Sequence, residues 1–137
     1  MTAAEIGEAQ ILECRLGLAG ASLPQIAQFG VIFIERQFEE LSMTAAKAAQ
    51  DIWGLGYCFG VFDALGQRAS LERYTGGLAL LTIGFLRLFA DNDAGPNQLS
   101  RAFDNQTDPS FAEGNVLGGS EINDYLKGRV STDIRAA

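Results

Sequence analysis

Three glutamates on one predicted helix, Glu35, Glu39 and Glu40, come closest to the pattern of a metal centre. Di-metal sites in helical bundles combine inward-projecting carboxylates from four helices with Glu-x-x-His pairs. The chain has no histidine, which removes those pairs, the commonest general base near neutral pH and the commonest zinc ligand. Because the glutamates lie opposite an apolar stripe, we interpret them as a solvated helix face. We therefore expect no metal and no cofactor.

Asp91 and Asp93 match the first two ligand positions of a calcium-binding loop. The motif then needs an oxygen ligand where Gly95 stands, a glycine where Pro96 stands and a glutamate where Ala102 stands. Three mismatches against two matches favour a turn that ends a helix, since Asp and Asn are common in turns.

The two thiols of the sequence, Cys14 and Cys58, offer little nucleophilic chemistry. Cys58 lies between Tyr57 and Phe59, and the sequence places no base near it that would favour a thiolate. Buried cysteine usually packs as a small hydrophobic residue. We predict that structure for Cys58, and for Cys14 on a helix with no single apolar face.

Asp63 is the polar residue that most suggests a binding site, since it follows eleven uncharged residues. A buried carboxylate is costly unless a cation pairs with it. One interpretation places Asp63 at the rim of a helix end, partly in water. The other makes it a polar contact in a ligand pocket lined by Trp53, Tyr57 and neighbouring glycines. The arginines available as partners are Arg68, Arg73 and Arg87.

Helical periodicity and capping residues predict four helices in the first two thirds of the chain. The first spans residues 2–18. The second spans residues 22–41 and begins with a capping box of Ser22 and Gln25, with Pro24 in its first turn. The fourth begins at residue 70, with a bend at Gly76 and Gly77, or begins at Thr75, and it ends near residue 90.

The third predicted helix, from residue 42 or 44 to about residue 66, is uncharged between residues 52 and 62. A helix that is apolar on every side must be enclosed by others, so we predict that it is central. Gly56 and Gly60 share one side of it and allow another helix backbone to come close. We expect Gly60→Leu to overpack this contact, at a cost of roughly 1–3 kcal/mol or more.

The segment from residue 91 to residue 137 is rich in Gly, Asn and Asp. We expect it to be loop-rich, with short helices over residues 98–104 and 120–127. The predicted fold is therefore a single all-α domain: an up-down bundle of about four core helices within residues 1–90, followed by an irregular, partly helical C-terminal segment.

Length and charge restrict the class of protein. With 137 residues, 47% of them hydrophobic, the chain can form one compact domain. Its net charge of −7 has the wrong sign for binding a phosphate backbone, so we expect no nucleic acid partner.

The first ten residues carry two acids and no base, unlike a secretory signal. The uncharged run of residues 74–86 is shorter than the ~20 residues of a membrane span. We expect a cytoplasmic protein.

Phe29 and Ile32 do not fit the apolar stripe of the second predicted helix and project from its polar side, beside Arg36. Two-fold pairing is the commonest way to cover a second apolar stripe, so we predict a homodimer in which these three residues lie at the contact. The alternative is that the C-terminal segment covers them. The candidates for that cover are Phe103, Phe111 and Val116.

Two functions remain open from the sequence. The first is a non-enzymatic helical interaction module that self-associates and also docks on another protein. The alternative is a small-molecule binding protein, or an enzyme of unknown class, with a pocket near Trp53, Tyr57 and Asp63. The sequence neither supports nor excludes an accessory protein of a phage or toxin system.

Overall fold

The protein is an all-α bundle, as predicted. The computed structural model describes residues 21–69 and 76–136, with side chains up to residue 128. The predicted first helix, Cys14 and Arg73 lie outside these residues. Within them are six α-helices and no strand. The helices are α1 (Leu23–Glu39), α2 (Ala45–Ala48), α3 (Ile52–Arg68), α4 (Leu78–Leu88), α5 (Gly95–Asp104) and α6 (Pro109–Ala136).

Helix α1 begins at the predicted capping box. The Gln25 amide donates to Ser22 Oγ at 3.3 Å, and the Ser22 amide donates to Gln25 Oε1 at 2.9 Å. These two bonds satisfy amides that would otherwise have no partner at the helix start. The run from Val31 to Ile34, which has the composition of a strand, lies inside α1.

The predicted third helix is divided in two. Asp51 has an extended backbone, and its Oδ1 accepts from the Trp53 amide at 3.1 Å, so it caps α3. Thr44 caps the short helix α2 in the same way, with Oγ1 accepting from the Lys47 amide at 3.1 Å. The division arises because Asp competes for backbone amides better than it continues a helix.

Helix α3 is central, as predicted, and contacts every other described helix. Its most extensive contact is with α6, where glycines on both helices allow the two backbones to approach closely. A Cβ atom at Gly56 would lie 2.2 Å from the Phe111 carbonyl oxygen. On the other helix, a Cβ atom at Gly114 would lie 2.1 Å from the Trp53 carbonyl oxygen. No side chain can be added at these positions without separating the helices.

The C-terminal segment is more helical than predicted. Helix α5 includes the expected helix over residues 98–104, while α6 extends over 28 residues and includes residues 120–127. Gly114 and Gly118 indicated a loop because glycine disfavours helices. In the structure they are the surface on which α6 packs against α3. Close packing therefore outweighs the low helix propensity of these positions.

Helix α4 follows a π-helical turn at Gly76 and Gly77. The predicted start of this helix at residue 70 lies outside the described residues. The helix packs against α1 and α5. It ends before a 3₁₀ turn, Asp91–Asp93, in which Asn92 and Asp93 have φ values of 59° and 51°. The prediction that these aspartates form a helix-ending turn is confirmed.

Candidate functional site

A polar cluster surrounds Tyr57, one of the residues that the sequence suggested for a pocket. The Tyr57 hydroxyl donates to Glu121 Oε2 at 3.3 Å and accepts from Gln37 Nε2 at 3.3 Å. Gln37 Nε2 also donates to Glu121 Oε2, at 3.0 Å. The cluster thus joins α1, α3 and α6, and each of the three side chains bonds to the other two.

Aromatic rings from α1 and α3 pack against Tyr57. The Trp53 and Tyr57 rings stack with centroids 5.7 Å apart, and the Phe38 ring lies 5.3 Å from that of Tyr57. Tyr57 is buried, whereas Trp53 is partly exposed. The Trp53 ring therefore covers part of the Tyr57 ring.

The electrostatics of the cluster keep the Tyr57 phenol protonated. Burial raises the pKa of Tyr57 well above its usual range, and the Glu121 carboxylate raises it further, while the Gln37 hydrogen bond opposes the shift. The protonated phenol donates to the Glu121 carboxylate. The cluster is therefore a hydrogen-bond network that joins three helices.

Asp63 lies away from Trp53 and Tyr57. It is six residues beyond Tyr57 on α3, which is about 9 Å along the helix and about 240° around it. Its carboxylate is half-buried, and Oδ2 accepts from Gln67 Nε2 at 3.0 Å. The interpretation of Asp63 as a partly wet residue near the helix end is confirmed.

Cys58 is fully buried in the core. Burial raises the pKa of its thiol far above the ordinary value, which suppresses the reactive thiolate. The prediction that Cys58 packs as a hydrophobic residue is confirmed. Glu35, Glu39 and Glu40 are exposed, which agrees with the solvated face expected for them.

The exposed position expected for Phe29 is wrong. Phe29 is only 3% exposed, and its ring lies 6.1 Å from that of Tyr125 on α6. The same tyrosine ring lies 5.5 Å from Phe33. The C-terminal segment therefore covers Phe29, as in the alternative interpretation, but through Tyr125, which the sequence did not single out. Ile32 is half-buried and Arg36 exposed, and the homodimer stays a prediction without Phe29 at its contact.

An open apolar groove lies between α4 and α5, where the sequence suggested no site. Its volume is about 370 Å³, and none of the described residues that line it carries a charge. Two of them are large and exposed, Leu86 at 47% and Phe103 at 44%. The lining residues are Thr82, Leu86, Gly95, Pro96, Leu99, Ser100 and Phe103.

A sequence signal for this groove was present in α4. Its eleven residues include a single charged side chain, Arg87, although the helix lies at the surface. The Arg87 guanidinium turns back to α1, where Nη1 donates to the Pro24 carbonyl and to Gln28 Oε1, both at 3.1 Å. The outer face of α4 is thus left without a charge.

Neither a metal centre nor a membrane span is found in the described part of the chain. No group of three or more Cys, Asp or Glu side chains there could hold an ion. None of its helices is both long and apolar enough to cross a bilayer. Comparison with protein families, with curated proteins and with solved structures finds no match to the chain.

Proposed function

We propose that this chain is a non-enzymatic helical interaction module that self-associates through the groove between α4 and α5. The observation that carries the proposal is the exposure of Leu86 and Phe103 on the two walls of one uncharged concave surface. Single exposed apolar residues are ordinary on protein surfaces, but a concave apolar patch without charges is typical of a binding site.

Burial of these side chains supplies the driving force for association. Removing a large apolar side chain from water contributes about 1.5–3 kcal/mol when burial is complete. Leu86 and Phe103 are each nearly half exposed, and Leu78, on the same helix as Leu86, is 43% exposed. A partner that covers all three gains from each, without having to desolvate a charge.

Electrostatics favours the surface of α4 over those of α1 and α6 for contact between two copies. Each copy has a net charge of −7, so surfaces rich in carboxylates repel one another. Helix α4 contains no acidic residue, whereas α1 and α6 present exposed carboxylates such as Glu39 and Glu113. Symmetric pairing of identical surfaces is also the commonest form of oligomer.

A small-molecule site is the second candidate, and the volume of the groove favours it. About 370 Å³ lies within the range of ~300–1,000 Å³ that ligand pockets occupy. The groove offers two hydroxyl groups, from Thr82 and Ser100, and the Thr82 hydroxyl already donates to the Leu78 carbonyl at 2.8 Å. Few polar groups are left to orient a ligand, which supports the protein partner instead.

Sedimentation equilibrium from tens to hundreds of micromolar tests the proposal. We expect the wild type to approach twice its mass of 14.7 kDa, and Leu86→Ser to remain monomeric over the same range. Val116→Ser is the matched control, because Val116 is 72% exposed on α6 and does not line the groove. A monomeric wild type, or equal association by both variants, contradicts the proposal. Circular dichroism establishes that each variant is folded.

A further inference from the structure

We infer that the two copies pair α4 against α4 in antiparallel orientation, with Leu78 of each copy entering the groove of the other. This inference rests on the proposed self-association and adds the orientation and register of the contact. It depends on three features of the outer face of α4: the spacing of its residues, its satisfied hydroxyl and its lack of charge.

The outer face of α4 is symmetric about Thr82. Leu78, Thr82 and Leu86 are spaced four residues apart and therefore lie along one face of the helix. Leu78 and Leu86, at 43% and 47% exposure, stand about 6 Å along the axis on either side of Thr82. A two-fold axis through Thr82 places Leu78 of one copy opposite Leu86 of the other, twice over.

This register places Leu78 of each copy at the α4–α5 groove of the other. Thr82 and Leu86 line the groove, whereas Leu78 does not. When the helices run antiparallel, Leu78 of one copy arrives at the part of the groove that Leu86 of the other copy borders. A parallel arrangement sets Leu78 against Leu78, away from the groove, and Leu86 against Leu86.

Thr82 is suited to burial at the centre of such a contact. Its hydroxyl donates to the Leu78 carbonyl in its own helix, at 2.8 Å. Covering Thr82 with a second helix therefore leaves no unsatisfied donor, which would otherwise weaken the association. At the interaxial distance of about 8–10 Å that packed helices adopt, two facing threonines come into contact.

The outer face of α4 and the α4–α5 groove carry no charge, which favours an uncharged partner surface. Arg87, the single charged residue of α4, is bonded within its own copy to Pro24 and Gln28. A charged side chain brought into the groove would find no opposite charge among the residues that line it, and burying it would be costly. The outer face of α4 in a second copy meets this requirement.

Disulfide cross-linking tests the register, with Cys14→Ser as the background and the buried Cys58 retained. We expect Thr82→Cys to form a covalent dimer on mild oxidation, because the two-fold axis sets this residue against itself. An equimolar mixture of Leu78→Cys and Leu86→Cys chains is expected to cross-link more than either chain alone. Val116→Cys, on α6, is the control and is expected to stay monomeric on a non-reducing gel.

The outcomes separate the two proposals. If the background protein sediments as a dimer while Leu78→Cys and Leu86→Cys each cross-link to themselves better than to each other, the antiparallel register is overturned and self-association stands. Equal cross-linking at Thr82 and Val116 also overturns the register. A background protein that sediments as a monomer overturns the proposed function itself. Circular dichroism of the reduced proteins establishes that each cysteine variant is folded.

Discussion

A Cβ atom added to Gly60 would lie 2.1 Å from the carbonyl oxygen of Asn115. The same relationship holds in the reverse direction, because a Cβ atom at Gly118 would lie 2.3 Å from the carbonyl oxygen of Tyr57. Helices α3 and α6 therefore meet backbone to backbone over several turns. The long C-terminal helix is held in place by the absence of side chains at these positions.

Gly60→Ala is expected to lower the free energy of unfolding by about 1–3 kcal/mol, because the new methyl group forces α3 and α6 apart. Gly119→Ala is the matched control. A Cβ atom at Gly119 has only ordinary contacts, at 3.5 Å, so the gain in helix propensity is expected to make this variant neutral or slightly more stable. Chemical denaturation measures both. Equal effects of the two changes would show that α6 does not pack on Gly60.

The glycines show where sequence reasoning succeeds and where it stops. Gly56 and Gly60 predicted a close helix contact because they interrupt an otherwise large and apolar helix. Gly114 and Gly118 lie in a polar segment, where the same spacing indicates a loop as readily as a contact surface. Only the pairing of the two helices, which are far apart in sequence, distinguishes these possibilities.

Phe62→Ala is expected to destabilise the protein by about 3–5 kcal/mol, since it empties the centre of the core. Phe62 is fully buried between two helices that approach it through glycine. A Cβ atom at either Gly30 on α1 or Gly84 on α4 would lie 2.5 Å from its ring. Phe62→Leu keeps much of the volume and is expected to cost less. Thermal or chemical denaturation that ranks the two variants equally would contradict this packing.

Alkaline pH is expected to destabilise the protein through Cys58 and Tyr57. Burial raises the pKa of both groups above the ordinary values of 9.0 and 10.0. The unfolded chain therefore releases these protons at a lower pH than the folded protein does. Stability is complete below the unfolded pKa and falls as pH rises above it. We expect a loss of about 1–2 kcal/mol between pH 8 and pH 10.

Cys58→Ala is the control for this pH dependence. It removes the thiol that accounts for most of the expected loss, so the variant is expected to lose less stability over the same interval. The comparison uses the change with pH and not the absolute stability, because the smaller side chain also leaves a small cavity. Denaturation curves at pH 8, 9 and 10 provide the measurement. Parallel pH profiles for wild type and variant would contradict the assignment to Cys58.

Arg101 is expected to fasten α5 to the turn between α2 and α3. Its guanidinium donates to the carbonyl oxygens of Ala49 and Gln50, the latter at 2.9 Å. Arg101→Ala is expected to cost about 1.5–3 kcal/mol, and Arg101→Lys to recover part of it, since an ammonium cannot match the planar fork. Lys127→Ala changes the net charge equally at an exposed position and is expected to be neutral. Equal denaturation midpoints for Arg101→Ala and Lys127→Ala would contradict this assignment.

The sequence predicted the candidate site less completely than it predicted the fold. The sequence suggested Tyr57, but its hydrogen-bond partners Gln37 and Glu121 are 20 and 64 residues away, on other helices. Phe29 was assigned to the surface because the helical wheel of α1 alone does not show that α6 covers its second side. The α4–α5 groove left one signal in the sequence, the single charge on α4, but the apolar residues of its two helices resemble ordinary core positions.

A concentration series of ¹H–¹⁵N correlation spectra tests self-association through the α4–α5 groove most directly, because it reports both association and its location. On dilution from hundreds to a few micromolar, we expect progressive shifts at the amides of Leu78, Thr82, Leu86, Leu99 and Phe103. The amides of exposed residues on α6, such as Val116, are expected to remain constant. Spectra that do not change with concentration, or changes concentrated on α6 or α1, would contradict the account.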